Sequence, residues 1–268
     1  MSGERIIPEQ IKSQDEYYLY LKEIFVYEWC KEVIPVNSIC LDLGCGDGYG
    51  AMFLASHVKK LTGIDVDKGL IAKAGEKYGG DNRFFMAYDG KKLPFDDDAF
   101  DAVISFQVIE HVKDDRRFVS EARRVLKKGG VLILTTPNKV LRLPGTMSPW
   151  NVHHAREYSR VELETLLSDE FHDLQISGTF AAEEVMRWER SRIKRIVRIA
   201  RYDLFNLRRL LPLPAAALIV KFLHLLLPGR KVGKHSDEAL KISDPRDLYK
   251  MDKITSGEPL DIVAICRK

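Results

Sequence analysis

An alternation of short apolar runs with helical patterns between residues 38 and 135 is the feature that most constrains the fold. We interpret five apolar runs as buried strands: 38–43, 60–66, 84–87, 100–106 and 131–135. Helical patterns lie among them at 49–57, 67–77 and 115–127. Strands that alternate with helices in this way predict parallel βαβ units, in a sheet that helices cover on both faces.

The flanking segments extend this prediction to a whole domain. Helices are predicted at 15–33 and from Arg160, and further strands at 173–180 and 260–266. We therefore expect an α/β, Rossmann-like fold with a seven-stranded, mostly parallel sheet, helices on both faces and a helical insertion before the last strand. The expected division is a core with an N-terminal helical segment (1–180), a basic amphipathic helical insertion (181–257) and a final core strand (258–268). A chain of 268 residues is long enough to bury such a core.

A glycine-rich loop follows the first predicted strand. Gly44, Gly46 and Gly48 allow positive φ angles and let a ligand approach the backbone closely. Asp65 ends the next predicted strand, where a carboxylate can accept both hydroxyls of a ribose. Residues 46–51 also satisfy the degenerate dinucleotide pattern, so the loop alone does not choose between NAD and S-adenosylmethionine.

The charges beside the loop favour one of these two cofactors. Asp42 and Asp47 flank the glycines. Acids at a helix N-terminus oppose the binding of a pyrophosphate, whereas they favour a cationic sulfonium and an α-amino group. The loop therefore favours S-adenosylmethionine.

Five segments in order resemble the motifs of class I S-adenosylmethionine-dependent methyltransferases of the broad UbiE/type-11 group: residues 42–48, 63–67, 89–95, 100–112 and 126–133. The resemblance implies methyl transfer from S-adenosylmethionine. It places Asp65 at the ribose and Asp89 at the adenine amino group. The implied cofactor-binding residues are Asp42, Gly44, Cys45, Gly46, Asp47, Gly48, Asp65, Val66, Asp89, Gly90, Phe106, Gln107 and His111.

A narrower likeness concerns the acceptor. Residues 3–5 with Pro8, 46–50, 136–139 and 151–158 resemble methyltransferases from polysaccharide and glycolipid gene clusters. This likeness implies O-methylation of a sugar hydroxyl in a glycan or lipid-linked glycan. Two alternatives stay open: methylation of a prenylated quinone or other membrane lipid, and a non-catalytic module that binds S-adenosylmethionine at a membrane.

Two histidines are candidate catalytic residues. A sugar hydroxyl is a poor nucleophile, so a base must take its proton, and histidine suits that task at neutral pH. His111 follows the fourth strand, at the carboxyl edge where such sheets bind ligands; a cofactor-lining role is the alternative. His154 belongs to a cluster after the fifth strand that we expect to cover the acceptor.

A metal ion is not expected at this site. Ubiquinone-biosynthesis O-methyltransferases resemble the chain around Glu110 and His111, and their pattern there is Glu-x-x-Glu-His. Gln107 replaces the first acid in this sequence. The replacement removes a charge that a divalent cation would need.

Residues 187–234 are strongly basic. They carry thirteen Lys or Arg against Glu189 and Asp203, a net +11, whereas the whole chain has a net charge of +3. Apolar residues follow helical spacing from Ile193 to Leu211, so the segment predicts a basic amphipathic helix. We expect it to contact an anionic membrane surface. The alternatives are a cap on the catalytic domain or a dimer contact, and nucleic-acid binding is unlikely because aromatic residues are sparse.

The remaining features set the expected compartment. The four cysteines form no CxxC pair and no metal-ligand spacing. The first ten residues show no signal-peptide pattern. We therefore expect a cytoplasmic protein that can associate peripherally with the inner face of the membrane.

Overall fold

The computed structural model describes residues 8–11, 13–143, 149–151, 153–200, 244–255 and 257–268. These residues form a central sheet with helices on both faces. The strands are β1 Ile39–Leu43, β2 Lys60–Asp65, β3 Arg83–Ala87, β4 Phe100–Phe106, β5 Leu126–Pro137, β6 Asp173–Ala181, β7 Tyr249–Lys253 and β8 Asp261–Arg267. The α-helices are α1 Gln14–Trp29, α2 Ala51–Leu54, α3 Lys68–Tyr78, α4 Asp115–Val125, α5 Lys139–Arg142, α6 Arg160–Ser168, α7 Glu183–Ala200 and α8 Pro245–Leu248.

The strand order is β3-β2-β1-β4-β5-β8-β6-β7. The first five strands in this order are parallel, whereas β8 pairs antiparallel with β5 and β6. From β1 the chain adds β2 and β3 on one side of the sheet and then crosses over to add β4 and β5 on the other side. Strands β1 and β4 therefore flank a topological switch point. Ligands of such sheets bind outside the carboxyl ends of the strands at that point. The Rossmann-like prediction is confirmed.

The prediction of seven strands is wrong, because the described sheet has eight. The additional strand, β7, pairs antiparallel with β6 at the sheet edge and lies inside the segment predicted as a helical insertion. Its sequence, YKMDK, contains three charged residues and only one buried position, Tyr249. Charged residues suit an edge strand but give no apolar run for a sequence pattern to detect.

Side chains alternate between the two faces of the sheet and divide the core into two layers. Cys40 and Ile104 belong to the layer that contains buried residues of α1, α2 and α7. Leu41 and Val103 belong to the opposite layer, which α4 and α6 cover. The parallel strands β1, β2 and β4 are thus buried on both faces, as their continuous apolar runs predict, whereas Phe84 and Met86 of the edge strand β3 are exposed.

Helix α1 begins with a capping box at Ser13 and Glu16. Leu21 and Phe25 are buried in the core, and the Nζ of Lys22 lies 2.7 Å from a carboxylate oxygen of Asp261 at the start of β8. This contact joins the N-terminal helix to the last strand. It fixes which residues of α1 face the carboxyl edge of the sheet.

Helix α7 forms the first described part of the basic insertion. Val185, Met186 and Ile193 are buried against the core, while Arg187 and Arg190 are exposed. Within 183–200 the apolar face is therefore covered by the protein itself, as in the alternative of a cap. Residues 201–243 lie outside the described part of the chain, and so does most of the predicted membrane contact. Among the described helices, none has both the length and the hydropathy to cross a bilayer.

Candidate functional site

A cavity of about 830 Å³ opens at the carboxyl ends of β1, β2 and β4. The glycine-rich loop and the ends of β2 and β4 form one wall. Residues of helices α1 and α7 and of the start of β8 form the rest of the wall. The cavity therefore joins the predicted cofactor loop to residues that no sequence motif connected with it.

The loop after β1 follows the predicted backbone geometry. Gly44, Gly46 and Gly48 have φ angles of 86°, 58° and 83°. A Cβ at Gly44 would lie 2.4 Å from Val108, so glycine is required there for packing as well as for φ. A Cβ at Gly46, which lines the cavity, would meet no atom within 4 Å, so the backbone there leaves space for a ligand.

Asp65 lies at the end of β2 with its carboxylate fixed in place. One oxygen accepts a hydrogen bond from the backbone N–H of Gly46 at 3.1 Å, and the other from Asp67 at 2.9 Å. The residue is 7% exposed and lines the cavity. Because a carboxylate has about four acceptor sites, two remain for ligand hydroxyls.

Asp42 lies behind the loop and does not line the cavity. Its carboxylate is buried and accepts a hydrogen bond from the Tyr27 hydroxyl at 3.0 Å. Burial raises the pKa of Asp42 to about 7, against the lowering effect of Tyr27. Asp42 therefore supports Tyr27, which does line the cavity, rather than contacting a ligand itself.

Asp47 lies on the cavity wall and is the loop acid that a ligand can reach. Its Oδ1 accepts a hydrogen bond from the backbone N–H of Tyr49 at 3.3 Å. Burial raises the pKa of Asp47. A cationic ligand would favour the ionised form of this carboxylate and offset the cost of its burial.

Glu23 is a functional candidate that the sequence did not reveal. It lies on α1 at the cavity wall and accepts a hydrogen bond from the Tyr49 hydroxyl. Burial raises the pKa of Glu23 to about 7, although the Tyr49 hydrogen bond and Lys22 act against this change. A glutamate on a helix is ordinarily solvated, and only the packing of α1 over the loop brings this one to the cavity.

Phe106 and Gln107 form the cavity wall at the end of β4. Gln107 has a φ angle of 56°, and its side-chain amide donates a hydrogen bond to the Thr135 hydroxyl at 3.2 Å. Phe106 contacts the Tyr27 ring edge-to-face at 4.9 Å. These contacts hold the end of β4 against β5 and α1.

His111 lies on the cavity wall in the short 3₁₀ turn Ile109–His111 after β4. Its Nδ1 is 3.1 Å from the backbone oxygen of His153. An acceptor at this distance favours the proton on Nδ1, so that Nε2 carries the ring's lone pair. In that tautomer the imidazole can accept a proton on Nε2.

His154 does not lie where the sequence led us to expect it. It is 2% exposed and is absent from the cavity lining. Its Nδ1 lies 3.0 Å from a carboxylate oxygen of Glu157, and its ring contacts that of His111 edge-to-face at 4.7 Å. Because it is buried behind His111, His154 is placed to position that residue rather than to touch an acceptor.

The far wall of the cavity combines aromatic rings with paired charges. Arg192 donates two hydrogen bonds of 2.6 Å to Glu189, and its guanidinium lies 5.5 Å from the ring centroid of Trp188. Although burial opposes its ionisation, the hydrogen bonds and charge of Arg192 lower the pKa of Glu189. Lys22 and Asp261 form a second ion pair on this wall. In both pairs the charges balance.

The structure thus brings together most of the predicted cofactor-binding residues, but not all. Those that line the cavity are Gly44, Cys45, Gly46, Asp47, Asp65, Val66, Gly90, Phe106, Gln107 and His111. Asp42, Gly48 and Asp89 do not line it. Asp89 is exposed, and backbone hydrogen bonds from Lys91 and Lys92 lower the pKa of its carboxyl group. Its carboxylate thus stabilises the turn that follows β3.

Comparisons with known proteins agree with this geometry. Residues 41–134 match a family model described as a methyltransferase domain. A probable S-adenosylmethionine-dependent methyltransferase of Mycolicibacterium smegmatis is 36% identical over 168 residues, which cover 62% of this chain and 63% of that protein. A demethylmenaquinone methyltransferase of Clavibacter sepedonicus is 35% identical over 106 residues, 39% of this chain and 43% of that protein.

A similar solved structure is that of an S-adenosylmethionine-dependent methyltransferase from Thermotoga maritima, a possible histamine N-methyltransferase. It has a TM-score of 0.56 and 15% identity, with 95% of each chain covered. At this identity the likeness concerns the fold alone. The chain spans less than two thirds of the length of the curated relatives it matches. The chain is thus similar over residues 41–134 to a methyltransferase domain, and it shares its fold with a solved S-adenosylmethionine-dependent methyltransferase.

Proposed function

We propose that the protein transfers a methyl group from S-adenosylmethionine to a hydroxyl of a glycan or lipid-linked sugar. The observation that carries the proposal is the juxtaposition of Asp65 and the open backbone at Gly46 with a second, aromatic wall across one cavity. The first feature suits the nucleoside of a cofactor. The second leaves room for an acceptor beside it.

The residues present fit the cofactor. Asp65 has acceptor sites for ribose hydroxyls, and a ligand can occupy the space that a Cβ at Gly46 would fill. Asp47 and Glu23 both line the cavity and would favour a cationic ligand. When bound, S-adenosylmethionine supplies a methyl group on a positively charged sulfur, which needs no further activation.

The remaining chemistry is the work of this chain's own residues. The cavity walls would align the acceptor hydroxyl with the methyl group. Such alignment by itself contributes much of the rate enhancement in a displacement reaction. His111 would take the proton of that hydroxyl on Nε2, because its Nδ1 faces the His153 carbonyl. His154 would hold the His111 ring from behind, itself oriented by Glu157.

The far wall supports a sugar as the acceptor. Trp188 offers an aromatic ring face, and the neighbouring ion pairs offer hydrogen-bond donors and acceptors without a net charge. Such a surface suits a neutral polyhydroxyl ring. The narrower sequence likeness to methyltransferases of glycan gene clusters points the same way.

A second candidate acceptor is a prenylated quinone or other membrane lipid. The match to the demethylmenaquinone methyltransferase favours it, although that match covers only 39% of this chain. A match of this extent carries little information about the acceptor, because function depends on the site rather than on the fold.

The test is a screen of glycan and lipid extracts with S-adenosylmethionine labelled on its methyl group, followed by mass analysis of the product. Label in an ether-linked sugar methyl group supports the proposal, and label in a quinone supports the second candidate. Tight binding of S-adenosylhomocysteine without turnover on any extract would instead indicate a non-catalytic module.

A further inference from the structure

We propose that Glu110, His111 and His154 form a binding site for one divalent transition-metal ion. A carboxylate oxygen and two imidazole nitrogens of these residues lie within 4.8 Å of one another. Glu110 and His111 belong to the turn after β4, whereas His154 follows β5. The backbone N–H of Ala155 donates a hydrogen bond of 2.7 Å to the Glu110 carbonyl, which ties the two segments together.

The groups around the three side chains are those of a metal site. His154 has its Nδ1 at 3.0 Å from Glu157, and His111 has its Nδ1 at 3.1 Å from the His153 carbonyl. Metal-ligating histidines typically donate one ring N–H to a carboxylate or carbonyl, which orients the other nitrogen toward the ion. The Glu110 carboxylate is oriented in the same way, because Thr136 donates a hydrogen bond to its Oε2 at 3.1 Å.

The donor set indicates the class of ion. Two imidazoles and one carboxylate suit Zn²⁺, Fe²⁺ and similar ions, whereas Mg²⁺ and Ca²⁺ prefer oxygen ligands. Metal–nitrogen bonds of about 2.0–2.1 Å require the three ligand atoms to approach more closely than 4.8 Å. His111 is the least buried of the three, so binding of an ion would require a small shift of its side chain toward Glu110 and His154.

The sequence predicted no metal from the residues around Glu110 alone, whereas the proposed site includes a residue from another segment. Gln107 replaces an acid of the quinone-enzyme pattern, and its amide is bonded to Thr135 instead. The third ligand comes from His154, forty-three residues beyond His111, and only the fold brings it there. With an ion bound, His111 would be a ligand and the ion would lower the pKa of an acceptor hydroxyl as a Lewis acid, whereas in the metal-free protein His111 keeps the role of base that the proposed function gives it.

The site can be tested without any assay of methyl transfer. The full chain is stripped with a chelator, dialysed and titrated with Co²⁺, and the visible d–d absorption is followed; calorimetry with Zn²⁺ gives the stoichiometry. We expect one ion per chain. His111→Ala should weaken binding at least tenfold, whereas His172→Ala, at an exposed histidine outside the cavity lining, should leave it unchanged.

Glu157→Gln provides a second variant that keeps all three ligands. Loss of an outer-shell carboxylate typically lowers metal affinity by about 10–100-fold, and we expect a change in that range. Circular dichroism confirms that each variant is folded, and S-adenosylhomocysteine binding by the wild type and by Glu157→Gln reports separately on the proposed function. Absence of Co²⁺ absorption in the folded wild type, or equal affinity in His111→Ala, would overturn the metal site.

Discussion

Asp65 has a buried carboxylate that two backbone N–H groups hold at the cavity edge. We predict that Asp65→Ala weakens S-adenosylhomocysteine binding by about tenfold or more, because charge-assisted hydrogen bonds to the ribose are lost. Calorimetric titration measures the change. Asp81→Ala, at an exposed acid outside the cavity lining, is the control and should bind as the wild type does.

The pKa of Glu23 should make binding depend on pH. Burial raises this pKa from 4.5 to about 7, so without a ligand the carboxyl binds a proton as the pH falls toward neutrality. A cationic cofactor favours the ionised form and must displace that proton. We therefore predict that the affinity for S-adenosylmethionine falls as the pH decreases from 8 to 6, and that Glu23→Gln lowers the affinity at pH 8 and flattens the profile.

The same raised pKa has a consequence for stability. A carboxyl with a raised pKa binds more protons in the folded than in the unfolded state, so its contribution to stability is lost as the pH rises from about 4.5 through 7. Glu23→Gln should therefore raise the melting temperature of the ligand-free protein more at pH 8 than at pH 5. An equal shift at both pH values would contradict the assignment.

The residues differ in how far the sequence revealed them. The glycines and Asp65 were found because their spacing after two strands follows from backbone geometry alone. Glu23 has no such marker, since its role depends on how α1 packs. Asp42 was correctly placed at the end of β1, but the pattern did not indicate that its side chain points away from the cavity toward Tyr27.

At the scale of elements, α7 carries the acceptor wall. We predict that Trp188→Ala raises the KM for the acceptor and leaves the affinity for S-adenosylhomocysteine nearly unchanged, because Trp188 lines the cavity from α7 and does not belong to the predicted cofactor-binding set. Steady-state kinetics with the acceptor found in the extract screen measures the effect. Arg187→Ala, on the same helix but exposed, should change neither quantity. A fall in kcat alone would argue against a binding role for Trp188.

The elements with strong periodicity were predicted well. The strands β1, β2, β4 and β8 are buried on both faces and give apolar runs, so their positions are confirmed to within one or two residues. The helix predicted at 49–57 is in fact the single turn α2, because the tight glycine loop occupies its first residues. The edge strand β7 was missed because half of its surface faces solvent.

At the scale of the molecule, the net charge is divided between an acidic core and the basic segment 187–234. We keep the prediction that this segment binds anionic membranes. Deleting it would also remove Trp188, Glu189 and Arg192 from the cavity wall, so charge replacement is the cleaner test. Changing Arg201, Arg208 and Arg209 to Gln should release the protein from phosphatidylserine vesicles, with cofactor affinity as the control. Retention of the triple variant on the vesicles would contradict the membrane contact.

The sequence by itself determined the order of strands and helices and the position of the cofactor loop. Those features depend on local backbone geometry and on hydrophobic periodicity, both of which are written along the chain. Only the tertiary structure decided what faces the cavity and what lies behind it. Glu23, His154 and Trp188 come from segments far apart in sequence, and their surroundings arise only when α1, the segment after β5 and α7 pack against the same edge of the sheet.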